Sequence, residues 1–248
     1  MIKKPKPEKR FYRKLIRKKE FLSFELVAGE SDIWVSIPKK EVADLKFLKE
    51  ILTDYLISLR SQILSYSERF PKFLKSLKPL KVDLLAPSIV KEMAVASAKV
   101  GVGPMAGVAG AVNKFVGKRL KSLGISQFIV ENGGDVFISS SEPIVSAILT
   151  GNPNIDGKLG IEIPPGEWGL CSSSSKIGHS LSLGYTQIAT VLSTDPILSD
   201  CVATFLGNSK TEEEFVKRCR SISDIEGTIG LVNGKFVVFG NLKLVKLS

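Results

Sequence analysis

Four short stretches of this 248-residue chain carry residue types and spacings suited to chemistry. Asp200 and Thr204 stand four positions apart in Asp200-Cys-Val-Ala-Thr204, which puts a carboxylate and a hydroxyl on one face of a helix. Hard oxygens of this kind suit a magnesium ion bridged to phosphate. They also have an ordinary use, since an acid in a first helical turn complements the helix dipole and a threonine hydroxyl can bond the carbonyl one turn back. Two glycine-rich segments bracket one amphipathic helix: Gly101-Val-Gly-Pro-Met-Ala-Gly-Val-Ala-Gly110 before it and Asn132-Gly-Gly-Asp135 after it. Glycine lets backbone N–H groups come close to a ligand, and a helix start adds partial positive charge, so the pair suits a phosphate-bearing molecule. Close helix packing is the other use of such small residues. The fourth stretch runs Cys171-Ser-Ser-Ser-Ser-Lys-Ile-Gly-His179-Ser-Leu-Ser-Leu-Gly184 and holds consecutive hydroxyls, a lysine and the only histidine. Such a set could bind an anion or move a proton, while a plain polar surface loop has the same composition.

Several specific chemistries are excluded. The dinucleotide fingerprint needs G-x-G-x-x-G at a strand-to-helix turn, and here Pro104 follows Gly103 while Gly107 and Gly110 fall inside the expected helix. No G-x-S-x-G elbow is present, and no carboxylate can be assigned to orient a Ser/His pair. Cys171, Cys201 and Cys219 are far apart with only His179 to help, which argues against a zinc site and for reduced thiols. The net charge of +10 is concentrated: residues 1–20 hold ten Lys/Arg against Glu8 and Glu20, and the remainder carries only +2. Nucleic-acid binding is therefore not expected as the main function, because the folded body lacks the required basic composition. Apolar runs fall short of the roughly 20 residues that span a bilayer, and the start of the chain is charged, so a cytoplasmic protein is expected.

The elements that must position these residues are legible as patterns. Phe21–Val27 and Ile33–Ile37 alternate around Ala28–Asp32 as a β-hairpin. From Glu41 to about Tyr66, Leu45, Leu48, Ile51, Leu52, Tyr55, Leu56, Leu59 and Ile63 recur at helical steps. A connector over Phe70–Pro79 with room for one further helical turn leads to a helix over Ser88–Val100 rich in small residues. The central helix begins near Pro104–Ala106, carries a stripe of Val108, Val112, Phe115, Val116, Leu120 and Leu123, and has Gly124 as its C-terminal cap. Phe128–Val130 and Val136–Ile138 form strands around a tight Asn-Gly-Gly-Asp turn, and further strands are expected at Ile144–Leu149, Lys158–Ile163 and Thr186–Leu192. Ser199 is expected to cap a short helix ending at Gly207, Thr211-Glu-Glu-Glu214 to open a last helix to about Ile222, and Asn233-Gly234 to close a terminal hairpin. The mixture, with hairpins at both ends, favours a single α+β domain over residues 21–248, with mixed or antiparallel sheets and packed helices, behind a basic arm over residues 1–20.

Taken in order, these stretches resemble the ApbE-like family, whose best-known members are FAD:protein FMN transferases. The resemblance runs through Gly103-Pro-Met-Ala-Gly-Val-Ala-Gly110, Glu131-Asn-Gly-Gly-Asp-Val136, Gly169-Leu-Cys-Ser-Ser-Ser174, Gly178-His-Ser-Leu-Ser-Leu-Gly184 and Asp200-Cys-Val-Ala-Thr-Phe-Leu-Gly-Asn208. It extends from roughly Ala94 to the C-terminus and is closest to a small, soluble branch of the family. The resemblance implies a flavin nucleotide (FAD or FMN) or related phosphorylated ligand, a Mg²⁺ ion, and transfer of FMN to a Ser or Thr of an acceptor protein. It implies Asp200, Thr204 and the carbonyl of Ala106, or of Ala109 in a shifted register, as metal ligands. Ligand contacts are implied at Gly103, Met105, Ala106, Gly107, Gly133, Gly134, Asp135, Ser172, Ser173 and His179, with His179 as the candidate base. The departures are equally specific. Transferases follow the histidine with Asp-Pro-Arg-Thr-Gly, whereas this chain has His179-Ser-Leu-Ser-Leu-Gly184 and lacks the loop's acid and arginine. Ser175 and Lys176 stand where Gly and Thr are expected. A non-catalytic nucleotide- or metabolite-binding module is therefore the alternative reading.

Overall fold

In the computed structural model, residues 20–148, 150, 156–174 and 186–247 are described. Residues 1–19 of the basic arm (1–20) lie outside them, as does the 175–185 segment with Ser175, Lys176 and His179. Three layers stack: helices, a central eight-stranded sheet and a three-stranded sheet. The central sheet runs β1 (Phe21–Ala28), β2 (Ser31–Pro38), β3 (Phe128–Asn132), β4 (Asp135–Ser140), β7 (Gly166–Ser174), β8 (Thr186–Ser193), β9 (Gly227–Val232), β10 (Lys235–Gly240). The small sheet is β5 (Ile144–Ala147), β6 (Leu159–Ile163) and β11 (Lys243–Lys246), with β6 in the middle. Every pairing is antiparallel, which narrows the expected mixed or antiparallel arrangement to the second.

The period of two along each strand sorts side chains between two cores. Ile33, Val35, Phe128, Val130, Phe137, Ala189 and Val191 face the helices, while Trp34, Ile129, Ile138, Leu170, Leu192 and Ile229 face the small sheet with Ile161 and Ile163. Both hairpin turns use left-handed backbone: Gly29 has φ +59°, and Asn233 and Gly234 have φ 49° and 80°.

The helices cover one face of the central sheet. α1 (Leu45–Arg69) is capped by Asp44, whose side chain accepts from Phe47 N at 3.0 Å, and it buries Leu48, Leu52, Leu56, Leu59 and Ile63. A single turn, α2 (Lys72–Lys75), is pinned by buried Phe73, and α3 (Ser88–Val100) ends on Gly101 at φ +78°. A 3-10 turn (Pro104–Gly107) leads into α4 (Val108–Ser122), followed by Gly124 at φ +86°. α5 (Pro196–Gly207) and α6 (Glu212–Arg220) complete the layer. Thr211 opens α6 by accepting from Glu214 N, as its Ser/Thr-x-x-Glu pattern requires.

Some expectations are corrected. α5 is not capped by Ser199, which is buried inside the helix with its hydroxyl on Gly169 O at 3.0 Å. Asp195 caps it, accepting from Ile197 N at 3.1 Å, and Pro196 takes the first helical position, where its missing N–H costs nothing. The serine run over Cys171–Ser174 is the end of strand β7, paired with β8, not a loop. In α4 the buried surface includes Gly110, Ala111, Asn113 and Gly117 beside the apolar stripe, and Leu123 is left partly exposed at the C-terminal end.

Gly169 in β7 sets how closely α5 approaches: a Cβ there would lie 2.4 Å from Pro196 Cα and 2.8 Å from Pro196 N. Backbone cannot yield as a side chain can. Gly169→Ala is expected to destabilise the protein by about 1–3 kcal/mol in urea unfolding, as overpacking does. Gly124→Ala meets nothing within 4 Å and should cost only the roughly 1–2 kcal/mol of its left-handed backbone.

Candidate functional site

The site forms where α5 is wedged between the start of α4 and strand β7. Glycine makes this possible on both sides. A Cβ on Gly110 would lie 2.1 Å from Pro196 O and 3.0 Å from Asp200 Cβ, and one on Gly107 would lie 2.7 Å from Cys201 Sγ. The wedge brings the Asp200 carboxylate to the first turn of α4, where no side chain of α4's own N-cap bonds the free amides. Asp200 Oδ2 accepts from Gly110 N at 2.8 Å, and the Ala109 N–H also points to this carboxylate. An acid from one helix thus caps another, with the favourable charge–dipole sense.

A second carboxylate comes to the same niche from the sheet. Asp135 opens β4 after the Gly133–Gly134 turn, is buried, and accepts from Ser172 N at 3.0 Å. Asn113, fully buried three residues after Gly110, donates to Asp135 O at 2.9 Å and leaves its own Oδ1 without a partner. Burial holds the Asp135 carboxyl well above the usual carboxylate range, and the charge of Asp200 adds to this against the Ser172 N–H. Burial likewise pushes Asp200 up to about 7, against the pull of the Gly110 and Ala109 amides. Cys171 lies beside both acids, and burial followed by their charges drives its thiol up, so it remains an unreactive SH. Nearby, Lys114 bridges Glu92 of α3 at 2.9 Å and Asp195 at the start of α5 at 3.0 Å, tying three helices together.

The structure brings some of the expected residues together and separates others. Asp200 and Thr204 share a face of α5, both partly buried. Met105 and Ala106 are partly buried in the 3-10 turn before α4. Gly103 is buried against Ser76, whose carbonyl lies 1.7 Å from where a Cβ would stand, so its identity is fixed by packing, as for Gly107. Gly133 and Gly134 form the β3–β4 turn at φ +67° and +102°, but the Gly134 N–H is already donated to Glu131 Oε1 at 2.7 Å. Ser172 and Ser173, neighbours in sequence, point to opposite faces of β7. Ser172 lies on the face away from the helices, with its hydroxyl 2.9 Å from Thr190 Oγ1, while Ser173 shares the helix side with Cys171. His179 lies outside the described residues.

Sequence reasoning missed Asn113, the two α4 amides and Gly169. For Asn113 a signal existed: a polar residue one turn from a glycine on the buried side of an otherwise apolar helix. Nothing local announces the amides, because their use depends on a residue 90 positions away.

Comparison with known proteins fits this architecture. The family model described as "AbpE bacteria" matches residues 13–228. The chain belongs to that ApbE-like family. Relatives include a UPF0280 protein of Methanocella arvoryzae, 35% identical over 79% of this chain and 82% of its own. Another, from Methanothrix thermoacetophila, is 42% identical over 73% and 77%. Among solved structures, the flavinyl transferase ApbE of Pseudomonas stutzeri superposes with a TM-score of 0.61 at 13% identity, covering 92% of this chain and 95% of that one. The flavin transferase ApbE of Vibrio cholerae gives 0.57 at 13% over 92% and 97%. At such identities the likeness concerns the fold, and it agrees with the α+β architecture of this ApbE-like chain.

The raised Asp200 carboxyl gives a signed pH effect. Its contribution to stability is fully present below the unfolded-chain pKa of about 3.9 and is lost as pH rises through about 7. Thermal unfolding between pH 5 and 8 should therefore show wild-type Tm falling relative to Asp200→Asn as pH rises. Parallel Tm curves for the two proteins would contradict the assignment.

Proposed function

We propose that this chain binds a flavin nucleotide, or a closely related phosphorylated ligand, together with Mg²⁺ at the junction of α4, α5 and the β3–β4 turn. The observation that carries the reading is the convergence of Asp135 and Asp200 in one niche beside the α4 amides. Two buried acids, with the charge of Asp200 raising the cost of ionising Asp135, favour a bound cation, which would relieve the repulsion. The available donors are oxygens, as magnesium prefers. Among the described residues no three His, Cys, Asp or Glu side chains gather into a metal cluster. A magnesium ion here would draw on hydroxyl, carbonyl and ligand phosphate oxygens, its usual mode.

Asp200, Thr204 and the Ala106 carbonyl would hold the ion. Ala109 is the poorer carbonyl donor, because it lies within α4, where carbonyls point along the axis away from the end that Asp200 occupies. When bound, Mg²⁺ supplies charge neutralisation on the phosphoryl oxygens. The α4 amides orient Asp200, Ser172 N orients Asp135, and Asn113 fixes the Asp135 backbone. The flavin itself enters from the solved structures of the same fold, which are flavin transferases by name.

Two outcomes follow binding. Transfer of FMN from FAD to a Ser or Thr of an acceptor protein, with His179 as base, is the first. The second is retention of the ligand without transfer, favoured by a loop after His179 that lacks the acid and arginine of the transferases. Titration of FAD with and without Mg²⁺, followed by chromatography for AMP, tests both. Mg²⁺-dependent FAD binding is expected, weakened at least tenfold by Asp200→Ala. AMP release with acceptor peptides supports transfer, and tight binding without AMP supports the binding module. No FAD binding at all would contradict the flavin reading in either form.

A further inference from the structure

The excursion between α1 and α3, residues 70–87, exposes far more apolar surface than a connector needs. Leu84 and Leu85 are 91% and 93% exposed, Leu77 70%, Leu74 44% and Phe70 41%. So many exposed apolar side chains of this size within one short segment mark an interaction surface. Basic side chains are interleaved with them: residues 68–85 hold Arg69, Lys72, Lys75, Lys78 and Lys81 against Glu68 and Asp83, and the four lysines are all exposed.

The segment is a built presentation and not a loose tail. Phe73 is buried and packs edge-on to Tyr66 at 5.3 Å, pinning α2, while Gly103 clamps the backbone at Ser76 and Leu77. Asp83 accepts from Leu85 N at 2.9 Å, which fixes the turn that carries the leucine pair. Beside that pair, Arg69 and the serines of the last turns of α1 line a shallow groove of about 370 Å³, with Leu85 and Asp83 on its other wall. Phe70 lies under the Arg69 guanidinium at 5.5 Å.

We propose that this excursion docks the protein on an anionic lipid surface. The leucines enter the acyl boundary while Arg69 and the lysines meet lipid phosphates. Charge complementarity selects this occupant: a second copy of the chain would bring the same basic patch against itself, whereas an anionic bilayer satisfies both the apolar tips and the cations. The inference rests on a surface separate from the carboxylate niche and stands whether or not the chain binds flavin.

Co-sedimentation of the full chain with phosphatidylcholine vesicles, with and without phosphatidylglycerol, tests it. Binding should require phosphatidylglycerol and weaken with salt. The double substitution Leu84→Ser/Leu85→Ser should reduce partitioning by about tenfold or more, since burying even one leucine contributes that much. Both positions are so exposed that the fold should be unaffected, which an unchanged Tm and circular dichroism spectrum would verify. Failure of the wild-type chain to bind phosphatidylglycerol vesicles would overturn the proposal. So would equal binding by the double variant, which would assign the attraction to charge alone. A wild-type dimer that the double variant converts to monomer, read by light scattering, would make the patch a self-association surface and also overturn it.

Discussion

The close approach of α5 to both α4 and β7 is the constraint on which the site depends. Gly107, Gly110 and Gly169 line the two walls of the wedge, and each stands where an added Cβ would meet Cys201, Pro196 or Asp200 at less than a normal contact distance. Relaxing any of these contacts moves the start of α5 outward and carries Asp200 away from the α4 amides and from Asp135. The carboxylate niche is here a by-product of packing geometry: the same absence of side chains that admits the helix also brings the Asp200 carboxylate onto the two amides that open α4.

That arrangement gives the glycines of the 101–110 segment a packing role. In the 101–110 segment packing accounts for Gly103, Gly107 and Gly110, and a left-handed helix end accounts for Gly101. The amides of Ala109 and Gly110 face a carboxylate of the protein itself. What these amides do is therefore indirect: they orient the Asp200 carboxyl. Among the described residues, the polarity of the niche follows from its two acids.

Much of this was legible in the sequence. Period-two and period-3.6 patterns located the first hairpin, α1, α3, α4 and the last hairpin, because each buries one face against a core and the pattern records that burial. The Asp200/Thr204 pair stands out by type and spacing, and Asp135 by the resemblance to the ApbE-like family. What was not legible is long-range. Ser172 and Ser173 have a composition that also suits a polar loop, yet pairing with β8 makes them a strand and turns their side chains to opposite faces. Ser199 fits the cap of α5 by residue type, while Asp195-Pro196, four residues earlier, fits by position. The partnership of Asp200 with α4 and the role of Asn113 depend on tertiary contacts that no local spacing encodes.

Burial raises the carboxyls of both Asp135 and Asp200, so a cation bound beside them as proposed is expected to displace protons into solvent. Calorimetric titration of FAD and Mg²⁺ at pH 7, repeated in buffers of different ionisation enthalpy, reads the protons released on binding. Net proton release in the wild type, lost or sharply reduced in Asp200→Asn, is the predicted result. Mg²⁺-dependent FAD binding that releases no proton, or the same proton release from Asp200→Asn, would contradict it.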